Sequence, residues 1–257
     1  MTEREPSRAS PAVLGLVPAR GGSKGIPGKN MVRLRGRRLI EYTLEAARAS
    51  RSLSRVVLST DDDAIAAIGR QCGVEVPFLR PPELAADDSA MIDVVRHAVS
   101  TLEQEEDARF DAIVLLQPTS PLRTATHVDE AVDLLFRTGA DTVVSVVAVP
   151  HQYNPASVMR VGLRGRLAPF QEGPLVLRRQ DKPAVYARNG PAVLVTKRSV
   201  VEQGRLYGED VAPYVMTLRE SVDIDDEHDL ELAEFYLGKR DCEQQSAATL
   251  KAGALRG

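Results

Sequence analysis

The chain has 257 residues, 43% of them hydrophobic, and a formal net charge of -3 at pH 7. This length and apolar content suffice for one domain with a sizeable core. The slight acidic balance excludes a general electrostatic attraction to nucleic acid or to an anionic membrane. No apolar run approaches the roughly twenty residues that span a bilayer, and residues 1–12 lack the apolar core of a signal peptide. We therefore expect a cytoplasmic protein without a membrane or nucleic-acid partner.

Short runs of Val, Ile and Leu alternate with longer segments whose apolar residues recur every three or four positions. The apolar runs cover residues 13–17, 55–59, 111–117 and 142–149. Continuous apolar strands separated by amphipathic helices predict an α/β fold, with a doubly wound, mostly parallel sheet between two layers of helices. Ligands of such sheets bind beyond the carboxyl ends of the strands. We therefore expect the functional residues just after Val17, Ser59 and Leu116.

The rhythm changes between residues 150 and 188, where glycine, proline and arginine become frequent and the helical period disappears. Within this stretch, the sequence VMRVGLRGRLAPF (158–170) predicts a hairpin that leaves the main sheet. The segment has too few apolar residues to fold compactly by itself, so we expect it to protrude and to be buried against a second subunit.

After this excursion, strands are predicted at 192–196 and 214–218, and a last amphipathic helix ends near Gly238. Beyond that glycine the chain is polar and loses its pattern. We predict flexible tails at 1–12 and 239–257, one domain at 13–238, and a protruding dimerisation and acceptor segment at 150–188 within that domain.

The loop after the first predicted strand combines basic side chains with glycines, in the sequence PARGGSKGIPGKN (18–30). Four glycines leave room for backbone N–H groups and for Arg20, Lys24 and Lys29 to converge on one polyphosphate. The loop is not a Walker A motif, because Ser23 stands at the position of the first glycine and Asn30 follows Lys29. A nucleoside triphosphate is the ligand that this loop predicts. The alternative is a basic surface turn without a ligand.

An acidic segment, SVDIDDE (221–227), lies where the last strand meets the last helix. In an extended chain Asp223 and Asp225 point to the same side. Two carboxylates suit Mg²⁺, which usually completes its coordination with phosphates and water. The alternative is an acidic N-cap of the last helix, supplied by Asp225 or Asp226.

Taken together, these segments resemble the acylneuraminate cytidylyltransferase family, which makes CMP-sialic acid and other CMP-nonulosonic acids. The resemblance spans about residues 14–237. It is carried by VPARGGSKGIPGKN, LLQPTSPLR (115–123), RRQDKPAVYARNG (178–190) and SVDIDDEHDL (221–230). It implies a three-layer α/β/α fold like that of the nucleotide-diphospho-sugar transferases, CTP as co-substrate, and Mg²⁺. It also implies a homodimer in which the segment after Pro150 reaches into the partner.

The resemblance also implies a role for each matching residue. The implied nucleotide-binding residues are Ala19, Arg20, Gly21, Gly22, Ser23, Lys24, Lys29, Asn30 and Arg80, the last contacting cytosine. Gln117, Arg179 and Asn189 would contact the acceptor, and Asp223 and Asp225 the metal. Arg20, Lys24, Lys29 and Gln117 would be the catalytic residues. The implied reaction is in-line attack of an acceptor oxygen on the α-phosphorus, catalysed by positioning and charge neutralisation.

The sequence departs from the sialic-acid enzymes where the acceptor should bind. Ser157 replaces a lysine that meets the substrate carboxylate, Val193 replaces an aromatic residue, and Met91 replaces a hydroxyl residue near the base. Arg179 is retained and can pair bidentately with a carboxylate or a phosphonate.

Three hypotheses follow. The first is transfer of CMP from CTP to the anomeric hydroxyl of a sialic-acid-like, nonulosonic acid. The second is a cytidylyltransferase for another small acid, such as a Kdo-like sugar or a phosphonate. The third is a non-catalytic nucleotide-binding homologue, which the retained basic loop and paired aspartates disfavour.

Overall fold

The computed structural model of the chain describes residues 10–23, 25–106, 109–172, 176 and 178–254. Its strands are β1 (Val13–Pro18), β2 (Arg33–Leu34), β3 (Arg37–Arg38), β4 (Arg55–Ser59), β5 (Ala112–Leu115), β6 (Thr142–Ala148), β7 (Met159–Val161), β8 (Leu167–Pro169), β9 (Tyr186–Arg188), β10 (Leu194–Lys197) and β11 (Val211–Met216). Its helices are α1 (Leu39–Ala49), α2 (Asp63–Gln71), α3 (Met91–Glu106), α4 (Ala125–Thr138), α5 (Arg198–Glu202) and α6 (Glu227–Ala254).

A mostly parallel sheet forms the centre of the molecule. Its strand order is β11-β6-β10-β5-β1-β4, and β9 pairs with β6. β1 runs parallel to β4 and β5, and β6 runs parallel to β11. Only β9 and β10 run antiparallel to their neighbours among the strands described for this sheet. The predicted doubly wound α/β fold is confirmed.

Helices cover both faces of the sheet because the side chains of each strand alternate between the faces. On β1, Val13 and Val17 pack into a core with residues of α1, α2 and α4. Leu14 and Leu16 pack on the opposite face, with residues of α3 and α5. Two apolar cores on either side of one sheet give the three-layer arrangement that the sequence pattern predicts.

A third apolar cluster lies beneath the loops at the carboxyl edge of the sheet. It joins Ile26 of the glycine-rich loop, Leu122 of the 117–123 loop and Ile224 of the acidic segment to Ala233 and Leu237 of α6. Because all three loops place an apolar side chain in this cluster, the cluster holds the loops and their polar residues next to one another.

The hairpin predicted at 158–170 is present as β7 and β8, which pair only with each other among the described strands. The predicted helix end at Gly238 is wrong, because α6 continues to Ala254. Its second half is rich in Ala, Glu, Gln and Lys, which favour a helix without producing an apolar face. The tail predicted at 1–12 lies mostly outside the described residues. No helix in the described part of the chain is long and apolar enough to cross a membrane.

Candidate active site

Three segments that are far apart in sequence meet beyond the carboxyl ends of β1, β4 and β5. The amide of Ala19 donates to the carbonyl of Ser59 at 2.9 Å, which ties the start of the glycine-rich loop to the end of β4. The amide of Ile224 donates to the carbonyl of Thr119 at 2.8 Å, which ties the acidic segment to the loop after β5. The site therefore forms at the edge where the sequence places it.

Lys29 joins the glycine-rich loop directly to the acidic segment. Its Nζ donates to the carbonyl oxygen of Ile224 at 2.6 Å and lies 3.2 Å from the carboxylate of Asp225. The Lys29 side chain is 12% exposed, whereas that of Asp225 is 81% exposed. Gly25 permits this contact, because a Cβ at that position would lie 2.5 Å from the carbonyl oxygen of Asp225.

The rest of the glycine-rich loop remains open toward solvent. Arg20 pairs with Asp87 at 2.8 Å, and its side chain is 31% exposed. The amide of Gly21 donates to Asp61 at 3.1 Å, and Asn30 donates to the carbonyl of Arg20 at 2.9 Å. A Cβ at Gly22 would meet nothing within 4 Å. The loop thus presents backbone and a cation beside free space, as a phosphate ligand requires. Ser23 is partly buried, and Lys24 lies outside the described residues.

Arg80 is held rigidly at the end of β4. It is 5% exposed, and its Nη2 donates to the carbonyl of Ser59 at 2.9 Å. Its Nη1 lies 3.3 Å from the carbonyl of Leu84. Burial lowers the pKa of the Arg80 guanidinium, while Asp61 opposes that shift and Arg20 adds to it. Its Nε has no hydrogen-bond partner among the described residues, so one donor is left for a ligand.

The loop after β5 is organised by a buried arginine that sequence analysis quoted in a motif but did not assign to the site. Arg123 is 2% exposed, and its Nη1 donates to the carbonyls of Gln117 at 3.0 Å and Ala192 at 2.6 Å. Its Nη2 donates to the hydroxyl of Thr43. Burial lowers the pKa of Arg123 to about 9, and the carboxylate of Asp223 opposes that shift. The group therefore stays cationic at neutral pH. In the sequence, this role is indicated only by a single arginine in the loop that follows an apolar strand.

Asn189, predicted to contact the acceptor, is 5% exposed and bonds within the protein. Its Oδ1 accepts from Ser145 Oγ at 2.6 Å, and its Nδ2 donates to Ser221 Oγ at 2.8 Å. Gln117 is partly buried next to Arg123. Val193 is fully buried in the core, so it forms no wall of an acceptor pocket. Met91 packs at the start of α3 against the apolar core.

Arg179 lies on the extension at 150–188, in a short turn at Arg179–Asp181, and is exposed. It makes no hydrogen bond or ion pair with the described residues of the carboxyl edge. Near it, Lys182 Nζ donates to Ser157 Oγ at 2.6 Å, and Ser157 Oγ donates to the carbonyl of His151 at 2.8 Å. Within one subunit, the predicted acceptor residue Arg179 is therefore not brought together with Gln117.

Asp223 is partly buried, and its carboxylate lacks a complete set of partners. Its Oδ1 has no hydrogen-bond partner among the described residues. A Cβ at Gly190, whose φ is 115°, would lie 3.0 Å from Asp223 Oδ2. Burial raises the pKa of Asp223, the Thr119 hydroxyl lowers it, and the neighbouring Asp225 raises it further. An orphan carboxylate oxygen of this kind is suited to a cation.

Different aspartates cap α6. The carboxylate of Asp226 accepts from the amide of Asp229 at 3.0 Å, and Asp229 accepts in return from the amides of Asp225 at 2.9 Å and Asp226 at 3.2 Å. The capping alternative thus applies to Asp226 and leaves the side chains of Asp223 and Asp225 for another role. No group of three or more His, Cys, Asp or Glu residues is placed to hold a metal within the described ranges.

Buried polar atoms without partners concentrate at this edge of the sheet. In the described part of the chain they are Ser59 Oγ, Arg80 Nε, His97 Nδ1, Ser120 Oγ, Arg123 Nε and Asp223 Oδ1. Ser59 is the last residue of β4. Arg80, Ser120, Arg123 and Asp223 lie in segments that follow β4, β5 or β11, and the histidine lies on α3. Buried polar groups normally have partners, so this concentration indicates a site built for a polar ligand.

Comparison with known proteins identifies the family to which the chain belongs. The family described as Cytidylyltransferase matches residues 14–245. The CMP-N,N'-diacetyllegionaminic acid synthase of Legionella pneumophila is 36% identical over 226 residues, covering 86% of this chain and 94% of that protein. The N-acylneuraminate cytidylyltransferase of Escherichia coli is 32% identical over 86% of this chain, which spans about half (51%) of that longer protein.

Solved structures agree on the fold. A CMP:2-keto-3-deoxy-manno-octonic acid synthetase complexed with CTP has a TM-score of 0.65 at 15% identity, covering 89% of this chain and 99% of that one. A 4-diphosphocytidyl-2C-methyl-D-erythritol synthase from Anaerococcus prevotii has a TM-score of 0.59 at 11% identity, over 90% of this chain and 100% of that one. The chain belongs to the cytidylyltransferase family, among relatives that include the N-acylneuraminate cytidylyltransferases.

Proposed function

We propose that this protein transfers CMP from CTP to the anomeric hydroxyl of a nonulosonic acid and releases pyrophosphate. The observation that carries the proposal is the contact of the glycine-rich loop with the acidic segment through Lys29, next to the orphan oxygen of Asp223. The acceptor class follows from the names of the relatives in Legionella and Escherichia. We place the reaction in the cytoplasm, where CTP is available.

The basic and open part of the loop would bind the triphosphate. Arg20 would exchange its exposed pair with Asp87 for a phosphate, at a cost of only about 0–1 kcal/mol for a surface ion pair. The open space at Gly22 admits a phosphate close to the backbone. The free Nε–H of Arg80 would donate to a carbonyl or ring nitrogen of cytosine.

Asp223 and Asp225 fit Mg²⁺ as two hard oxygen donors, one with an unpartnered oxygen and one exposed to solvent. The bound ion would supply charge neutralisation to the triphosphate and to the acceptor oxygen. Lys29 would hold the acidic segment against the loop that carries the phosphates. Arg123 would fix the backbone of Gln117, so that this residue can orient the acceptor for in-line attack on the α-phosphorus.

The acceptor is tested by measuring pyrophosphate release from CTP and Mg²⁺ across a panel of acids, with the nucleotide product identified by mass. The panel contains sialic, legionaminic, pseudaminic and deaminated sialic acids, together with Kdo and simple phosphonates. We expect a CMP-nonulosonic acid as the product. Turnover with Kdo or a phosphonate alone would overturn the acceptor class and keep cytidylyl transfer. Absence of pyrophosphate release with every acid would instead support a non-catalytic homologue.

We also propose a homodimer formed through the extension at 150–188. Among its exposed apolar side chains, Leu163 is 93%, Val161 73%, Leu167 67% and Phe170 63% exposed. The extension contains seven Lys and Arg but only two Asp and Glu, in a chain of net charge -3. A basic, apolar extension is therefore complementary to the acidic remainder of a second copy.

Light scattering should give about twice the chain mass of 28.0 kDa. Leu163→Glu places a charge on the most exposed apolar side chain of the extension and should shift the protein toward a monomer. The control is Phe136→Glu, since Phe136 is an exposed apolar residue of α4 (41% exposed) outside the extension. A wild-type monomer with full activity at micromolar concentration would contradict the proposal.

A further inference from the structure

A cavity of about 300 Å³ borders the 117–123 loop but contains none of the predicted site residues. It lies between the β2–β3 hairpin, α1, the start of α4 and α6. Its principal lining residues are Arg35, Arg37, Tyr42, Arg123, Thr124 and Arg240. The proposed cytidylyl transfer gives this cavity no role.

Positive charge dominates the lining. Four guanidinium groups face only two carboxylates, those of Glu45 and Asp241. Both carboxylates are already matched, because Arg37 pairs with Glu45 at 2.7 Å and Arg35 pairs with Asp241 at 2.9 Å. The guanidinium of Arg240 makes no hydrogen bond or ion pair with any residue that the structure describes. The lining thus has two more positive than negative groups, and Asp223, outside the lining, opposes part of the charge of Arg123. In a chain of net charge -3, this balance favours an anionic occupant.

The start of α4 also favours an anionic ligand. Thr124 and Ala125 line the cavity, and α4 begins at Ala125 and has 14 residues. The first-turn N–H groups of a helix have no partners within the helix, and its dipole places partial positive charge at this end. Helix starts therefore bind phosphate and similar anions.

The wall also contains a residue with a buried donor that has no partner among the described residues. Arg123 lines the same wall immediately before the helix cap, and it is 2% exposed. Its Nε is among the buried polar atoms that have no partner in the described residues. The ion pairs with Asp241 of α6 and Glu45 of α1 account for Arg35 and Arg37. Within the described residues, no such pair accounts for Arg240 or for the Nε of Arg123.

We propose that this cavity binds a small, multiply charged oxyanion of the phosphate class. Its volume exceeds the roughly 30 Å³ that one water occupies in the liquid several-fold, so inorganic phosphate fits with part of its hydration. Arg123 also holds the carbonyls of Gln117 and Ala192. The anion site and the candidate active site therefore share this arginine.

The test is calorimetric titration of the full chain with inorganic phosphate in EDTA, at constant ionic strength. Arg240→Gln should weaken binding about tenfold, which corresponds to about 1.4 kcal/mol, and should not affect folding because Arg240 forms no hydrogen bond or ion pair with the described residues. Ala49→Glu adds a carboxylate to an exposed position of the cavity wall and should abolish binding. The matched control, Arg70→Gln on α2, removes an exposed arginine that does not line the cavity and should leave the affinity unchanged.

Phosphate could also bind the glycine-rich loop, so Arg20→Ala is titrated in parallel. Retained binding in Arg20→Ala together with loss in Arg240→Gln supports the cavity. Loss in Arg20→Ala with wild-type affinity in both Arg240→Gln and Ala49→Glu would assign the phosphate to the active site and overturn the proposal. Absence of binding to the wild-type protein at tens of millimolar phosphate would overturn it as well.

Discussion

Lys29 contacts both the glycine-rich loop and the acidic segment of the candidate active site. The substitution Lys29→Met tests whether this contact holds the two segments together, because it removes the amine and keeps the apolar stem. The bond from Nζ to the carbonyl of Ile224 is short, at 2.6 Å, and Ile224 is fully buried. Leaving a buried acceptor without this partner costs about 1–3 kcal/mol. The second contact, with a carboxylate of Asp225 that is 81% exposed, is worth only about 0–1 kcal/mol. The buried hydrogen bond should therefore dominate the loss of stability.

Thermal unfolding in EDTA measures this loss without any contribution from metal. For a domain of this size, about 1 kcal/mol corresponds to about 2–4 °C, so Lys29→Met should melt several degrees below the wild type. Asp225→Asn is the matched control, since it removes the ion pair and keeps the bond to Ile224; its melting temperature should change little. In assays, Lys29→Met should need more Mg²⁺ for half-maximal turnover.

Two results would refute this reasoning. If Lys29→Met melts with the wild type, Lys29 does not hold the acidic segment. If Asp225→Asn lowers the melting temperature as much as Lys29→Met does, the exposed ion pair is the stronger contact. An increase in the KM for CTP, without a change in stability or in the Mg²⁺ requirement, would identify Lys29 as a phosphate ligand alone.

Three further predictions concern the same site. Arg20→Ala removes a partly exposed pair with Asp87, so it should leave stability nearly unchanged and lower turnover at least tenfold, above ~1.4 kcal/mol in the transition state; normal turnover would remove its phosphate role. Asp223→Asn removes the charge of a partly buried carboxylate whose Oδ1 has no partner among the described residues, so it should melt no lower than the wild type in EDTA yet lose Mg²⁺-dependent turnover; a lower melting temperature with normal turnover would mean a structural role only. CTP should support faster pyrophosphate release than UTP, ATP or GTP, and equal use of a purine triphosphate would exclude cytosine recognition by Arg80.

The architecture was predictable because a buried parallel sheet imposes a strong pattern on the sequence. Apolar runs such as 13–17 and 142–149 have no polar face, so their strands had to be covered on both sides. The antiparallel direction of β10 could not be predicted, since it follows from the path of the 150–188 extension and not from strand composition. The second half of α6 was missed because periodicity detects an apolar face, whereas this part of the helix is formed by residues of high helix propensity.

The location of the site was predictable, but the partners of its residues were not. A motif places Asn189 at the carboxyl edge without indicating that its amide bonds to Ser145 and Ser221. In the same way, LLQPTSPLR gives no sign that its arginine is the buried organiser of the loop. Both outcomes depend on long-range contacts, which determine whether a polar side chain faces the ligand or the interior.

The contacts of Gly25 and Gly190 explain why their motifs contain glycine at these positions. In the sequence, Gly25 is one of four glycines in a loop and Gly190 follows an asparagine in a different motif. In the structure, Gly25 lies against the backbone of Asp225 and Gly190 lies against the carboxylate of Asp223, each too close for a Cβ without a shift. The two aspartates thus have matching glycines in segments 33 or more residues away. An alanine at Gly25 would displace the backbone of the acidic segment, and an alanine at Gly190 would displace the carboxylate of Asp223. We therefore infer that these glycines are required by the aspartates as much as by the phosphates.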